Sequence, residues 1–222
     1  MRMLAPLLAL SVAISASACA PPRAQLDAWP ADIPPAPEGM TTEAWVHART
    51  AHTRATQDGL TSNPVLAVID YSLPSSARRL WVVDLRTNDV LMNEFVAHGY
   101  GSGGTWATGF SNRHGSNQSS LGTFITLNTY SGIRGFSLRL KGLEPGVNDR
   151  ALVRGIVIHG TPNVNAVRAA AGNLGRSEGC PAVPVASARR LIRLLEGGAV
   201  VFVWYPDPKF LAVSEYVDRT LH

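Results

Sequence analysis

From residue 65 onward, short apolar runs alternate with Gly, Pro, Asn and Asp punctuation. "VLAVIDY", "RRLWVVDL" and "VLMNEFVA" have strand length and β-branched content, and the intervening "RTND" reads as a hairpin turn. A Gly/Ser/Asn-rich loop follows from His98 to Ser120. Then come "GTFITLN", "GFSLRLKGL" and "LVRGIVIH", and "AVVFVWYP" closes the series as a buried strand. Helical patterning is confined to three stretches. Residues 42–58, "TEAWVHARTAHTRATQD", predict a helix capped by Thr41 or Thr42 and ended near Gly59. "NVNAVRAAAG" and "VASARRLIRLLEGG" predict two more, with Gly197 ending the second. Many short strands with a few helices point to a mainly β fold, a β-sandwich or barrel carrying peripheral helices. No internal repeat is present.

The first residues have a different character. Arg2, the apolar stretch Leu4 to Ile14 and the small residues Ser15 to Cys19 form an export segment, too short to span a membrane. Two processing routes are open. Ala16-Ser17-Ala18 suits simple signal cleavage. Small residues before Cys19 instead resemble a lipobox, although Ala16 stands where Leu is usual. Lipidation of Cys19 would anchor the protein to a membrane; either route places it in the periplasm or cell envelope. Residues 20–40 are Pro- and Ala-rich and predict an extended tether of about 3 Å per residue, roughly 60 Å in all. The expected organisation is therefore 1–19 signal, 20–40 linker, 41–60 N-terminal helix, 61–208 β-rich main domain and 209–222 tail.

The 222 residues suit one such domain, and 45% apolar with 16% charged residues is a globular composition. The net charge of +4 is scattered, with basic pairs only at Arg78-Arg79 and Arg189-Arg190, which read as solvated surface. That spread argues against a nucleic-acid partner, which would need a concentrated stripe. Cysteine usage is more informative. With Cys19 at the processing site, Cys180 is left as a lone thiol in an oxidising compartment. It is a buried inert group, a residue kept for reactivity, or the partner of an unlipidated Cys19.

Several motifs compete for the chemistry. Gly99 to Gly104 matches G-x-G-x-x-G, but "TWATGFSNRHG" follows where a nucleotide site needs a helix, and no acidic residue lies about twenty positions on. Gly175 to Gly179 matches the serine elbow G-x-S-x-G around Ser177. It follows a helix rather than a strand, and the only later histidine is His222. His98, His114, His159 and Cys180 lack the compact spacing of zinc ligands, and His47 and His52, five apart, read as surface histidines. Neither a metal nor a cofactor is called for. Cys180 and His159 remain. Acyl transfer by a thiol needs a base beside it, a group orienting that base, and backbone donors for the oxyanion. His159 ends the apolar run "GIVIH", and Gly179 lets the chain turn at Cys180 and aim its amides. The requirement is spatial: thiol and imidazole must lie side by side.

His159-Gly160, then Ser177-x-Gly179-Cys180 after Gly160 to Arg176, resembles the signature of the bacterial murein L,D-transpeptidase catalytic domain. "LWVVDL", "VAHGYGSG", "FSNRHGSNQSSLGTFIT", "GFSLRLKGLEPGVNDRALVRGIVIHG" and "GRSEGCPAVP" extend it over about residues 62–206 and match an exported bacterial branch. The resemblance implies a mixed β-sandwich with Cys180 and His159 in a cleft. It implies that Cys180 attacks the carbonyl of the third residue of a peptidoglycan stem peptide and expels the terminal D-Ala. His159 would serve as base and then acid, oriented by the Gly160 carbonyl, with the amides of Gly179 and Cys180 forming the oxyanion hole. The acyl group would pass to an amine or to water, with no cofactor. A domain that only binds the cell wall is the rival reading. Two departures bear on substrate recognition: Glu178 stands where His is usual, and Pro181-Ala182-Val183 replace a following Arg. Arg176, Ser177 and Glu178 are the expected substrate-binding residues.

Overall fold

A computed structural model describes residues 33–172 and 174–217; the export segment with Cys19, and the last five residues, lie outside these. The described chain is mostly β. After helix α1 (Thr42–Gln57) come strands β1 (Val65–Asp70), β2 (Leu80–Asp84) and β3 (Asp89–Glu94). Then follow β4 (Gly122–Gly132), β5 (Gly135–Gly142), β6 (Val157–Thr161), α2 (Ala166–Ala170), β7 (Ala182–Pro184), α3 (Val185–Leu195), β8 (Val200–Trp204) and α4 (Pro208–Val213). The strands make one sheet in the order β3-β2-β1-β8-β4-β5-β6-β7. A bridge between Ala97, just past β3, and Ala182 of β7 joins the two ends, so the sheet nearly closes as a barrel.

The apolar runs explain the centre. Every residue of β2 and β8 is buried, as is all of β1 after Val65. Successive strand residues point to opposite faces, so these strands are covered on both. β8 is paired on both sides, parallel to β1 and antiparallel to β4. Ala44, Ala48, Ala51 and Ala55 form a helical stripe of buried small residues with which α1 packs on β1 and β8. Thr41 is the N-cap: its hydroxyl accepts from the Ala44 N–H (3.3 Å) and donates to Asp70 at the end of β1 (2.6 Å).

The strand expectations hold with shifted ends, and the turn at residues 86–89 has Asn88 at φ 63°. β6 starts at Val157, because residues 151–155 form turns, and it runs on past His159 to Thr161. β7 and α4 carry no periodic signal and are additions. Three readings are corrected. His47 is fully buried and stacks on Trp204 at 4.5 Å, because it lies on the sheet-facing side of α1. Arg79 is buried too. Its guanidinium donates to the carbonyls of Leu73 and Val96 and to His98 Nδ1, which replaces its hydration. Finally, residues 33–40 are no free tether: Trp45 Nε1 donates to the Pro34 carbonyl (2.7 Å), Trp81 Nε1 to that of Glu38 (3.3 Å), and Met40 is buried.

Phe202, fully buried in β8 between Val68 and Thr123, is the sharpest test of this core. Phe202→Ala is expected to lower the unfolding free energy by about 3–5 kcal/mol. The exposed Val167→Ala should change it by no more than about 0.5 kcal/mol. Denaturant titration of the three proteins measures both.

Candidate active site

His159 is the central residue of β6, with Ser137 of β5 opposite it on one side and Ala182 of β7 on the other. The ring is buried. Its Nδ1 lies 3.0 Å from the Gly160 carbonyl oxygen. A carbonyl can only accept, so Nδ1 carries the proton and Nε2 holds the lone pair. Nε2 is buried and has no hydrogen-bond partner among the described residues. Gly160 is also a packing requirement: a Cβ there would come within 2.9 Å of the Ala188 Cβ and 3.1 Å of the Val185 Cα, so α3 could not lie against β6.

The segment 175–180 is fixed by Ser177. Its buried hydroxyl donates to the Cys180 carbonyl (2.5 Å) and accepts the Gly179 N–H (3.1 Å). Its backbone bonds the His98 carbonyl (2.9 Å) and the Tyr100 N–H (2.7 Å). Ser177 is thus the staple of the turn, and its hydroxyl is committed to backbone groups. Gly179 sits at φ +115°, and a Cβ there would come within 2.7 Å of the Gln118 carbonyl oxygen. Its own carbonyl accepts from Ser119 Oγ (3.2 Å), which in turn accepts the Gly99 N–H (3.0 Å). The Gly/Ser-rich loop therefore serves as the wall behind the cysteine turn. One expectation changes: the Gly179 N–H is occupied by Ser177. The Cys180 N–H donates to no group among the described residues.

Cys180 is free and 6% exposed. It lies two residues before Ala182, the register partner of His159, and its sulfur accepts the Val157 N–H at 3.5 Å, two residues before His159. Thiol and imidazole thus arise from neighbouring parallel chains, offset along the strands by about 6–7 Å of backbone. The thiol points to the Gly155 carbonyl (3.6 Å) and is not hydrogen-bonded to the imidazole. The structure brings the two residues together at one end of the sheet but leaves the proton contact unmade.

Charged groups surround this pair. Arg154 is pinned by the carbonyls of Ser111 (2.6 Å) and Gln118 (2.7 Å) and by the hydroxyls of Ser120 (2.6 Å) and Ser116 (3.3 Å). Arg134, at the tip of the β4–β5 hairpin, donates to the exposed carboxylate of Glu178. Sequence reasoning singled out neither arginine: Arg154 lies within the quoted stretch 135–160 without a role of its own, and Arg134 just before it. Arg176 is not brought to the thiol; its guanidinium donates to the Gly103 carbonyl at 3.0 Å. His98 is not a ligand either: burial, and next the charge of Arg79, push its pKa down to about 4, and its Nδ1 accepts from Arg79 at 2.7 Å. Among the described residues no three His, Cys, Asp or Glu side chains are gathered as for a metal ion.

A family model for the L,D-transpeptidase catalytic domain matches residues 37–204, most of the chain, both loops of the site included. The chain belongs to this family. Its members are enzymes that act on peptidoglycan stem peptides. No curated protein matches. Among solved structures, an L,D-transpeptidase from Mycobacterium smegmatis is 15% identical with a TM-score of 0.41, covering 64% of this chain and 59% of its own. An L,D-transpeptidase from Stackebrandtia nassauensis is 13% identical (TM-score 0.41; 67% of this chain, 58% of that one). The helical cell shape determining protein Pgp2 from Campylobacter jejuni is 11% identical (TM-score 0.39; 71% and 57%). This chain thus spans well under two thirds of the length of these proteins.

In this L,D-transpeptidase-family domain, burial acts on the two reactive groups in opposite senses. It raises the thiol pKa; the Val157 N–H and the charge of Arg134 pull the other way, Glu178 adds to the rise, and Arg154 opposes it. It lowers the imidazole pKa, against the Gly160 carbonyl and with Arg134. Neither group is charged at neutral pH. The resting pair is thiol and neutral imidazole, with Nε2 able to take a proton. Iodoacetamide labelling of Cys180 followed by mass spectrometry should therefore show a pH midpoint above the ordinary thiol value of 9.0. The His159 ring, followed by NMR, should titrate below 6.5.

Proposed function

We propose that this protein is an exported cysteine acyltransferase that forms an acyl-enzyme with the third residue of peptidoglycan stem peptides and passes it to an amine or to water. The observation that carries this reading is the imidazole of His159, tied at Nδ1 to the Gly160 carbonyl and unpartnered at Nε2, on the strand beside the free thiol of Cys180. Export rests on residues 1–19 alone, with Cys19 the proposed point of membrane attachment.

The steps follow from these groups. Substrate entry turns the Cys180 side chain from the Gly155 carbonyl toward His159; hydrogen bonds left long in a free enzyme commonly close this way in the complex. As Sγ bonds to the carbonyl carbon, its proton passes to Nε2 and the carbonyl π pair moves onto oxygen. The Cys180 N–H meets that oxyanion. Collapse breaks the C–N bond, and His159 returns the proton to the leaving amine. The thioester then reacts with the second nucleophile, His159 again acting as base. Proton transfer to His159 during attack avoids a free thiolate, which burial disfavours.

Cys180→Ala should abolish turnover of a disaccharide tetrapeptide and any acyl adduct on the protein. Ser177→Ala should lower kcat by roughly tenfold, the effect of releasing two backbone hydrogen bonds worth about 1 kcal/mol each or less, while leaving Cys180 able to acylate. Mass spectrometry of the protein and of the muropeptide products reads both, and tells amine from water as acceptor. Wild-type protein that binds sacculi yet never carries an adduct would establish the wall-binding domain instead.

A further inference from the structure

The Arg134–Glu178 ion pair is the feature of the site that the acyl-transfer steps leave unused. Ile133 and Arg134 are the two residues of the β4–β5 turn, with Gly132 paired to Gly135. Ile133 is fully exposed, so the hairpin tip stands out from the fold. Arg134 nevertheless reaches back to Glu178, two residues from the nucleophile. Its charge acts on both Cys180 and His159. Arg154, the other cation felt by the thiol, has four hydrogen bonds to loop oxygens and holds the loop. Arg176 is committed to Gly103. Arg134 differs from both: its partner is a solvent-exposed side-chain carboxylate, which another carboxylate can displace at little cost.

We propose that Arg134 is the receptor for the free α-carboxylate of the residue expelled from the donor peptide, and that Glu178 occupies it in the resting protein as an exchangeable stand-in. The proposal rests on the acyl-transfer reading for its substrate, a peptide whose scissile amide is followed directly by a free C-terminus. The geometry of such a peptide demands a cation close by. Its carboxylate carbon is only three bonds beyond the attacked carbonyl carbon, about 3–4 Å away. The group that binds it must therefore lie near the cysteine turn, where Arg134 is held by its pairing with Glu178, two residues from Cys180. A planar guanidinium on a hairpin tip also suits paired hydrogen bonds to a carboxylate. Glu178 then acts as a filter: an anionic ligand must compete with it, and a neutral C-terminus gains nothing by displacing it.

The test uses Cys180 alkylation by iodoacetate and iodoacetamide, reagents that differ in one carboxylate, on the full protein. In Arg134→Gln the iodoacetate-to-iodoacetamide rate ratio should fall about three- to fivefold, as expected for a half-exposed charge pair. In Glu178→Gln it should rise, and Arg134→Lys should retain most of it. In parallel, the KM ratio between a tetrapeptide with a free C-terminus and its C-terminal amide should increase in Arg134→Gln, with the kcat ratio moving less. A merely structural Arg134 would shift both reagents and both substrates together. Rate ratios that stay put in Arg134→Gln, or fall in Glu178→Gln, overturn the receptor. Because alkylation needs no turnover, shifted ratios in a protein that never acylates would uphold the receptor and remove the acyl-transfer reading instead.

Discussion

The parallel pairing of β7 with β6 is the constraint on which the site depends. Residues 159 and 180 belong to one site only because Ala182, Val183 and Pro184 align with His159, Gly160 and Thr161. A three-residue strand cannot hold that register by itself. Its register is set from outside: Ala97 bridges Ala182 from the other end of the sheet, Ser177 staples the turn before it, and α3 leaves directly after it to lie over Gly160. Each of these is an interaction distant in sequence. The pairing of thiol and imidazole is thus a property of the near-closed barrel and not of the local chain.

Burial then sets the chemistry. The same low-dielectric surroundings that disfavour a thiolate also disfavour an imidazolium, and burial is the largest influence on both groups. The surrounding charges are secondary, and they are placed differently. Arg154 spends its donors on the 111–120 loop, so its charge comes as a by-product of holding the wall. Arg134 lies on a projecting turn and meets a single exposed carboxylate. Fixed cation and exchangeable cation near one sulfur give the site separate structural and ligand-facing charges.

Much of this was legible in the residues. Continuous apolar runs located the buried strands, because burial on both faces leaves no alternation to misread. His159, Gly160 and Cys180 stood out because glycine and histidine at a strand followed by a glycine turn satisfy what acyl transfer needs. What escaped notice shares a cause. β7 is too short to have a period. Arg79 looks like half of a surface pair, yet its charge is solvated by carbonyls that only the fold assembles. Arg134 sits in a two-residue turn where the pattern says only that the chain reverses. Gly179 was rightly placed at the turn, but its amide belongs to Ser177, a bond that depends on the rotamer of a hydroxyl and not on residue spacing.

The unpartnered Nε2 of His159 unites these points. A buried nitrogen without a hydrogen bond costs about 1–3 kcal/mol, and folded chains seldom tolerate one without function. Here the ring cannot turn away to find water. Its strand is paired on both sides at that residue, and its other nitrogen is held by the Gly160 carbonyl. On the neighbouring chain the Cys180 thiol is held only by long contacts to Gly155 (3.6 Å) and Val157 (3.5 Å). In the proposed reaction, rotation of that thiol toward His159 would give the nitrogen its partner and place the sulfur for attack in a single motion. On the acyl-transfer reading, the resting structure carries part of the cost of the reactive arrangement in advance, and the sheet supplies the rigidity that keeps it there.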